Sequence, residues 1–175
     1  MRARAWATAC VVGLAACVVG ASQVACGGTT GAKFANVKQG EMPSGEAWDG
    51  VYFNAVYGYL HVTAQESNLV GRWKRKDGSK WGELSGTVEG NVAHFKFTEH
   101  TYGGVGPASD IHGTGVFAYG MSTDKIAKLT GQYALDDSDS IGQWDCLKQV
   151  GMKADLNSIN GQSTDAAPTG QDNWQ

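Results

Sequence analysis

Gly131-Gln132-Tyr133-Ala134-Leu135, a turn from Asp136 to Ser140, and then Ile141-Gly142-Gln143-Trp144-Asp145-Cys146 decide how this chain folds. In both runs a glycine stands two residues before an aromatic, and residues two apart on an extended strand share one face. Following that face backwards and forwards adds Ala127, Leu129, Leu135 and Cys146, while the other face carries Lys128, Gln132, Gln143 and Asp145. The aromatic face is therefore the inside. The same spacing recurs in Gly50-Val51-Tyr52, Gly71-Arg72-Trp73 and Gly115-Val116-Phe117, so one local device is used in strands far apart in the sequence.

The period of two extends over the body of the chain and predicts eight short strands. They run from about 50 to 57, 59 to 64, 69 to 75, 81 to 89, 92 to 100, 111 to 119, 125 to 135 and 141 to 148. Turn signals such as Gln65-Glu66-Ser67-Asn68, Lys76-Asp77-Gly78-Ser79 and Glu89-Gly90-Asn91 separate them. Connections this short join antiparallel neighbours. Glycine is 25 of 175 residues, roughly twice its usual share, and in mid-strand it costs stability unless something needs the space. Small barrels fill their interiors by alternating small and large residues and bend at glycine. The expected fold is all-β, an eight-stranded antiparallel up-and-down meander barrel, with an open two-sheet sandwich as the alternative.

Gly50-Val51-Tyr52 in the first strand and Gly142-Gln143-Trp144 in the last resemble the glycine, any residue, aromatic pattern of calycins, the lipocalin-like and avidin-like barrels. The resemblance covers the body and implies a fold; no ligand residue of those families maps onto this chain, so it implies no particular ligand. Strand parity turns Tyr52, Leu60, Val62, Trp73, Leu84, Val88, Phe95, Phe97, Phe117, Tyr133, Leu135 and Trp144 inward. An eight-stranded barrel either packs solid or holds one small ligand. If a cavity exists, the polar handles on its wall are the hydroxyls of Tyr52 and Tyr133 and the ring nitrogens of Trp73 and Trp144. These four residues are the candidate ligand contacts, for a small apolar or aromatic molecule.

The first 26 residues read as an export leader. Met1-Arg2-Ala3-Arg4 is a basic start, Ala5 to Ala21 an apolar run, and cysteines follow small residues at Leu14-Ala15-Ala16-Cys17 and Gln23-Val24-Ala25-Cys26. This resembles the leader of bacterial lipoproteins, in which the cysteine after the cleavage point carries acyl chains. Cys26, followed by Gly27-Gly28-Thr29-Thr30-Gly31, and Cys17 compete for that role; ordinary secretion after Ala21 is the alternative. The expected organisation is a signal peptide over 1–25, a tether over 26–45, the barrel over 46–150 and a polar tail over 151–175. A short helix within 152–159 is one option for that tail. Localisation follows as the bacterial cell envelope, on a membrane through the N-terminal lipid.

Other functions find little support. The net charge is −3 and the longest basic run, Arg72 to Lys76, is interrupted by Trp73, which argues against a nucleic-acid partner. No Gly-x-Ser-x-Gly, phosphate loop or dinucleotide fingerprint is present, so neither catalysis nor a cofactor is expected. Glu99, His100, Asp110 and His112 flank the longest connection, but their spacing is not that of a zinc motif, and no metal is expected. A protein-interaction or inhibitor module would instead use that connection, residues 101–110, with the outward Tyr59 and Trp81.

Overall fold

The computed structural model describes residue 34 and residues 37–103 and 109–161; Cys17, Cys26 and the centre of the 101–110 loop lie outside them. Among the described residues there are nine strands: β1 (Gly50–Asn54), β2 (Gly58–Gln65), β3 (Asn68–Lys74), β4 (Lys80–Glu89), β5 (Val92–Thr101), β6 (Ile111–Met121), β7 (Ala127–Leu135), β8 (Ile141–Gln143) and β9 (Cys146–Lys148). Each consecutive pair from β1 to β8 is antiparallel, and β9 pairs antiparallel with both β7 and β1. The sheet therefore closes on itself. It is the expected antiparallel barrel, with the eighth stave divided in two.

That division is local. Leu129 faces Cys146 and Gln132 faces Gln143, so the register is the same on both sides of the gap. Between them the Trp144 N–H donates to the Gly131 carbonyl at 2.9 Å, while the Gly131 N–H donates to the Asp145 side chain at 3.0 Å. The Asn54 amide donates to the Asp145 carbonyl at 2.6 Å. Two polar side chains thus take over backbone pairing where Trp144 turns into the interior.

The repeated glycines acquire a mechanism from the register. Trp73 stands directly across from Gly82, Phe95 from Gly115, Phe97 from Gly113, Phe117 from Gly131 and Tyr133 from Gly142. A Cβ at any of these glycines would overlap the ring opposite. Each aromatic therefore lies over a glycine of the next strand. The spacing propagates: Gly131 receives Phe117, and two residues on Tyr133 covers Gly142, which leads to Trp144. Trp73 and Trp144 meet at the centre with ring centroids 4.9 Å apart, and Phe95, Phe97 and Phe117 surround Trp144 at 5.4 to 6.5 Å.

One end of the barrel is plugged by the chain that leads into β1. Gly40 exchanges hydrogen bonds with Asn91 at the β4–β5 turn, Met42 packs on the core, and Trp48 enters edge-on to Tyr119 at 5.4 Å. Gly90, with φ +58, lets that turn approach the Gly40 carbonyl more closely than a side chain would permit. Farther back in the stretch read as a tether, Phe34 is buried on the outer wall against Val92, Val116 and Ala134. Those three face outward by parity yet are covered. The described part of the tail lies on the opposite side. Ile159 is buried there, Arg72 donates to the carbonyls of Leu156 and Ile159 at 3.2 and 3.3 Å, and Asp155 meets His61. It includes a short 3-10 turn, Leu156–Ser158, capped by Asp155. Residues 162–175 lie outside the described residues.

Candidate functional site

The end away from the plug is the one bearing the 55–57, 75–79 and 136–140 connections and residues 102–103 and 109–110. Between them lies a recess of about 100 Å³. Trp73, Phe97 and Trp144 line it from β3, β5 and the β8–β9 break, together with Tyr57, Tyr133, Leu135 and Ile111. The rings meet edge to face: Tyr57 on Tyr133 with centroids 5.9 Å apart, Phe97 on Tyr133 at 5.9 Å, and Trp73 on Phe97 at 6.1 Å. Such packing fixes the walls without a backbone lining. Below this level the interior is filled by Phe95, Phe117 and Leu84.

Polar groups reach the recess from its rim. The Tyr57 hydroxyl donates to that of Tyr133 at 2.8 Å. Burial raises the Tyr57 pKa, and the bond to Tyr133 raises it further, so the phenol stays protonated. Glu99 continues the inward face of Phe95 and Phe97 and is 5% exposed. Its carboxylate accepts from Arg75 Nε and Nη2, both at 2.9 Å, and from Lys80 Nζ at 3.2 Å. A buried charge is tolerated when paired in this way. Burial opposes the charge on Arg75, but the Glu99 carboxylate outweighs it and raises the Arg75 pKa.

Trp73, Tyr133 and Trp144, three of the four residues expected to meet a ligand, come together at this recess. Tyr52 does not. Its hydroxyl donates to the Trp48 carbonyl at 2.7 Å at the plugged end, and Lys148 Nζ lies 5.9 Å from its ring. Parity correctly turns Tyr52 inward but carries no information on depth along the barrel. Tyr57 and Arg75 escaped sequence reasoning, and Glu99 was weighed there only as a metal-ligand candidate beside the long connection. Glu99 had a readable signal, being a carboxylate in phase with two inward phenylalanines, which requires an inward cation.

The residues around the long connection do not converge. His100 Nδ1 lies 2.9 Å from Asp110 and its ring stacks on Trp81 at 4.4 Å, whereas His112 pairs with Thr98 at 3.1 Å. Among the described residues no three His, Cys, Asp or Glu side chains gather as a metal site. Residues 104–108 of the loop lie outside the described residues. Cys146 is buried and unpaired, and burial together with the Asp145 charge pushes its thiol up to about 12. A broader groove of about 910 Å³ crosses the outer wall between Arg72, Lys96, His112 and Leu156. It is open to solvent and mixed in charge.

Fold and recess together define a closed all-β barrel with one end plugged and an aromatic-lined mouth at the other. Compared with protein-family models, with curated proteins and with solved structures, the chain matches none. No helix among the described residues is long and apolar enough to cross a membrane.

Proposed function

We propose that the protein is a non-catalytic binding module of the bacterial cell envelope, whose barrel mouth takes the apolar end of a small molecule. The recess walled by Trp73, Trp144, Phe97, Tyr57 and Tyr133 is the observation that carries this reading. Pockets that bind small molecules are concave and mostly apolar, with a few polar groups placed to orient the ligand. At about 100 Å³ the recess is smaller than the roughly 150 Å³ cavity that admits benzene, so it suits a short alkyl end or the edge of one ring. The one carboxylate at the rim, Glu99, is held by Arg75 and Lys80, which favours holding a ligand over transforming it. The leader supports an anchor through acylated Cys26, or Cys17, and its loss to plain secretion is the alternative outcome for the address.

The test is intrinsic fluorescence of the purified protein titrated with 2-methylpropan-1-ol, 3-methylbutan-1-ol and longer lipids. Saturable change with the small molecules and none with the long-chain lipids supports the reading; no change with any of them refutes it. Intact mass of the mature protein from its native host tests the anchor, since acylation at Cys26 or Cys17 and free secretion give different masses.

A second reading, a protein-interaction module, draws on the outer wall. Phe53 lies across from both Tyr59 and Leu147, and Tyr59 and Leu147 are 38% and 47% exposed beside Val56 at 62%. Loss of partner recovery from envelope extract on Leu147→Lys, with unchanged ligand titration, would favour it.

A further inference from the structure

We infer that the molecule held at the mouth is a short-chain monocarboxylate, its apolar end in the recess and its carboxylate on Arg75. This rests on the reading of the mouth as a ligand site and adds the ligand's charge and size.

Glu99 has both carboxylate oxygens occupied by Arg75 and Lys80. Arg75 spends Nε and one Nη2 hydrogen on that pair, so its Nη1 has no partner among the described residues. Tyr133 accepts from Tyr57 and its own hydroxyl hydrogen is likewise uncommitted. Among the described residues the mouth therefore offers Arg75 Nη1 and the Tyr133 hydroxyl as uncommitted donors, while its one carboxylate, Glu99, is already shared between two cations. Charge points the same way, since Arg75 and Lys80 outnumber the one carboxylate buried between them. Asp77 also acts on Arg75, but it lies exposed on the turn and accepts from Ser79 N and Oγ. An ammonium ligand would meet two cations and a carboxylate already engaged by both of them. A carboxylate would find a guanidinium edge with the geometry it prefers.

Size sets the other half. Liquid water takes about 30 Å³ per molecule, so a recess of about 100 Å³ has room for roughly three carbon atoms, the size of an isopropyl end. The filled interior beneath Trp73 and Trp144 stops a long chain from going deeper.

Three probes share one apolar end: 3-methylbutanoate, 3-methylbutan-1-ol and 3-methylbutan-1-amine. In fluorescence titrations of the wild type the acid is expected to bind about tenfold or more tighter than the alcohol, as charge-assisted hydrogen bonds imply, and the amine weakest. Arg75→Ala risks stranding Glu99, so the variant is the paired Arg75→Met, Glu99→Met, which removes both charges and keeps the volume. It should bind the alcohol as before and lose the preference for the acid, while Lys80→Met should lower that preference severalfold. Urea midpoints establish that each variant is folded. If the wild type binds the alcohol as tightly as the acid, or the paired variant keeps the acid preference, the carboxylate inference is overturned and the mouth remains a ligand site. If none of the three probes binds, both readings fall.

Discussion

Gly115→Ala tests the packing rule on which the barrel is built. Gly115 has no positive φ, so the substitution adds a methyl without backbone strain. Its Cβ would lie 2.6 Å from Phe95 Cε2 and 2.9 Å from the Gln132 carbonyl oxygen. Carbon atoms in contact ordinarily stand 3.5–4.0 Å apart, so the ring must retreat by about 1 Å. It cannot do so freely, because Phe117 stacks on it at 4.6 Å and Trp144 stands behind at 6.2 Å. Overpacking of this kind costs about 1–3 kcal/mol, and the fixed carbonyl places this case in the upper half. A loss of about 2–3 kcal/mol corresponds to a fall in Tm of roughly 10 °C. Urea unfolding followed by near-ultraviolet circular dichroism measures it. The double variant with Phe95→Leu should recover at least about 1 kcal/mol of the summed single losses, a coupling expected only of residues in contact. Gly120→Ala, with no atom within 4 Å of the added methyl, is the control and should stay within about 0.5 kcal/mol. Additive losses for Gly115 and Phe95, or a Gly115→Ala protein as stable as the control, would refute the account.

Arg75→Ala should cost about 3–5 kcal/mol, because Glu99 is left buried and under-paired, whereas Arg75→Met with Glu99→Met should come close to wild type in urea. The Glu46 carboxyl is held below the usual carboxylate range by the hydrogen bond from Tyr119 and by Lys148. Its contribution is therefore present above the unfolded value near 4.5 and is lost as pH falls through the lower folded value; Tyr119→Phe should flatten that acid loss in midpoints taken from pH 7 to 3. With its thiol pushed up to about 12, Cys146 should resist a thiol reagent in the native state and react fully in denaturant. Ile159→Ala should destabilise by about 2–4 kcal/mol if the tail docks on the wall as described, and a neutral result would detach it.

The barrel was legible because period two, mid-strand glycine and inward aromatics all express one steric fact. A ring on one strand needs a bare backbone on the next, and Gly131-Gln132-Tyr133 followed by Gly142-Gln143-Trp144 records both halves of it. Depth along the barrel was not legible, since parity treats Tyr52 and Tyr133 alike although they serve opposite ends. The break at Trp144-Asp145 was also hidden, because it preserves register and is supported by Asn54, far away in sequence. Val116 and Ala134 looked like outward positions of ordinary strands, and only the long-range contact with Phe34 explains their burial. Arg75 closes the expected strand 69–75 in phase with Gly71 and Trp73, so it and Glu99 were both readable as inward charges; their meeting across strands was not.

The indole N–H signals of the protein offer the most direct test of the mouth as the ligand site. Trp73 and Trp144 line the recess and Trp48 belongs to the plug at the opposite end. In a nitrogen–proton spectrum titrated with 3-methylbutanoate, the Trp73 and Trp144 signals should move together and saturate while Trp48 stays in place. Signals of Trp73 and Trp144 that remain fixed through the titration, or a Trp48 shift equal to theirs, would contradict it.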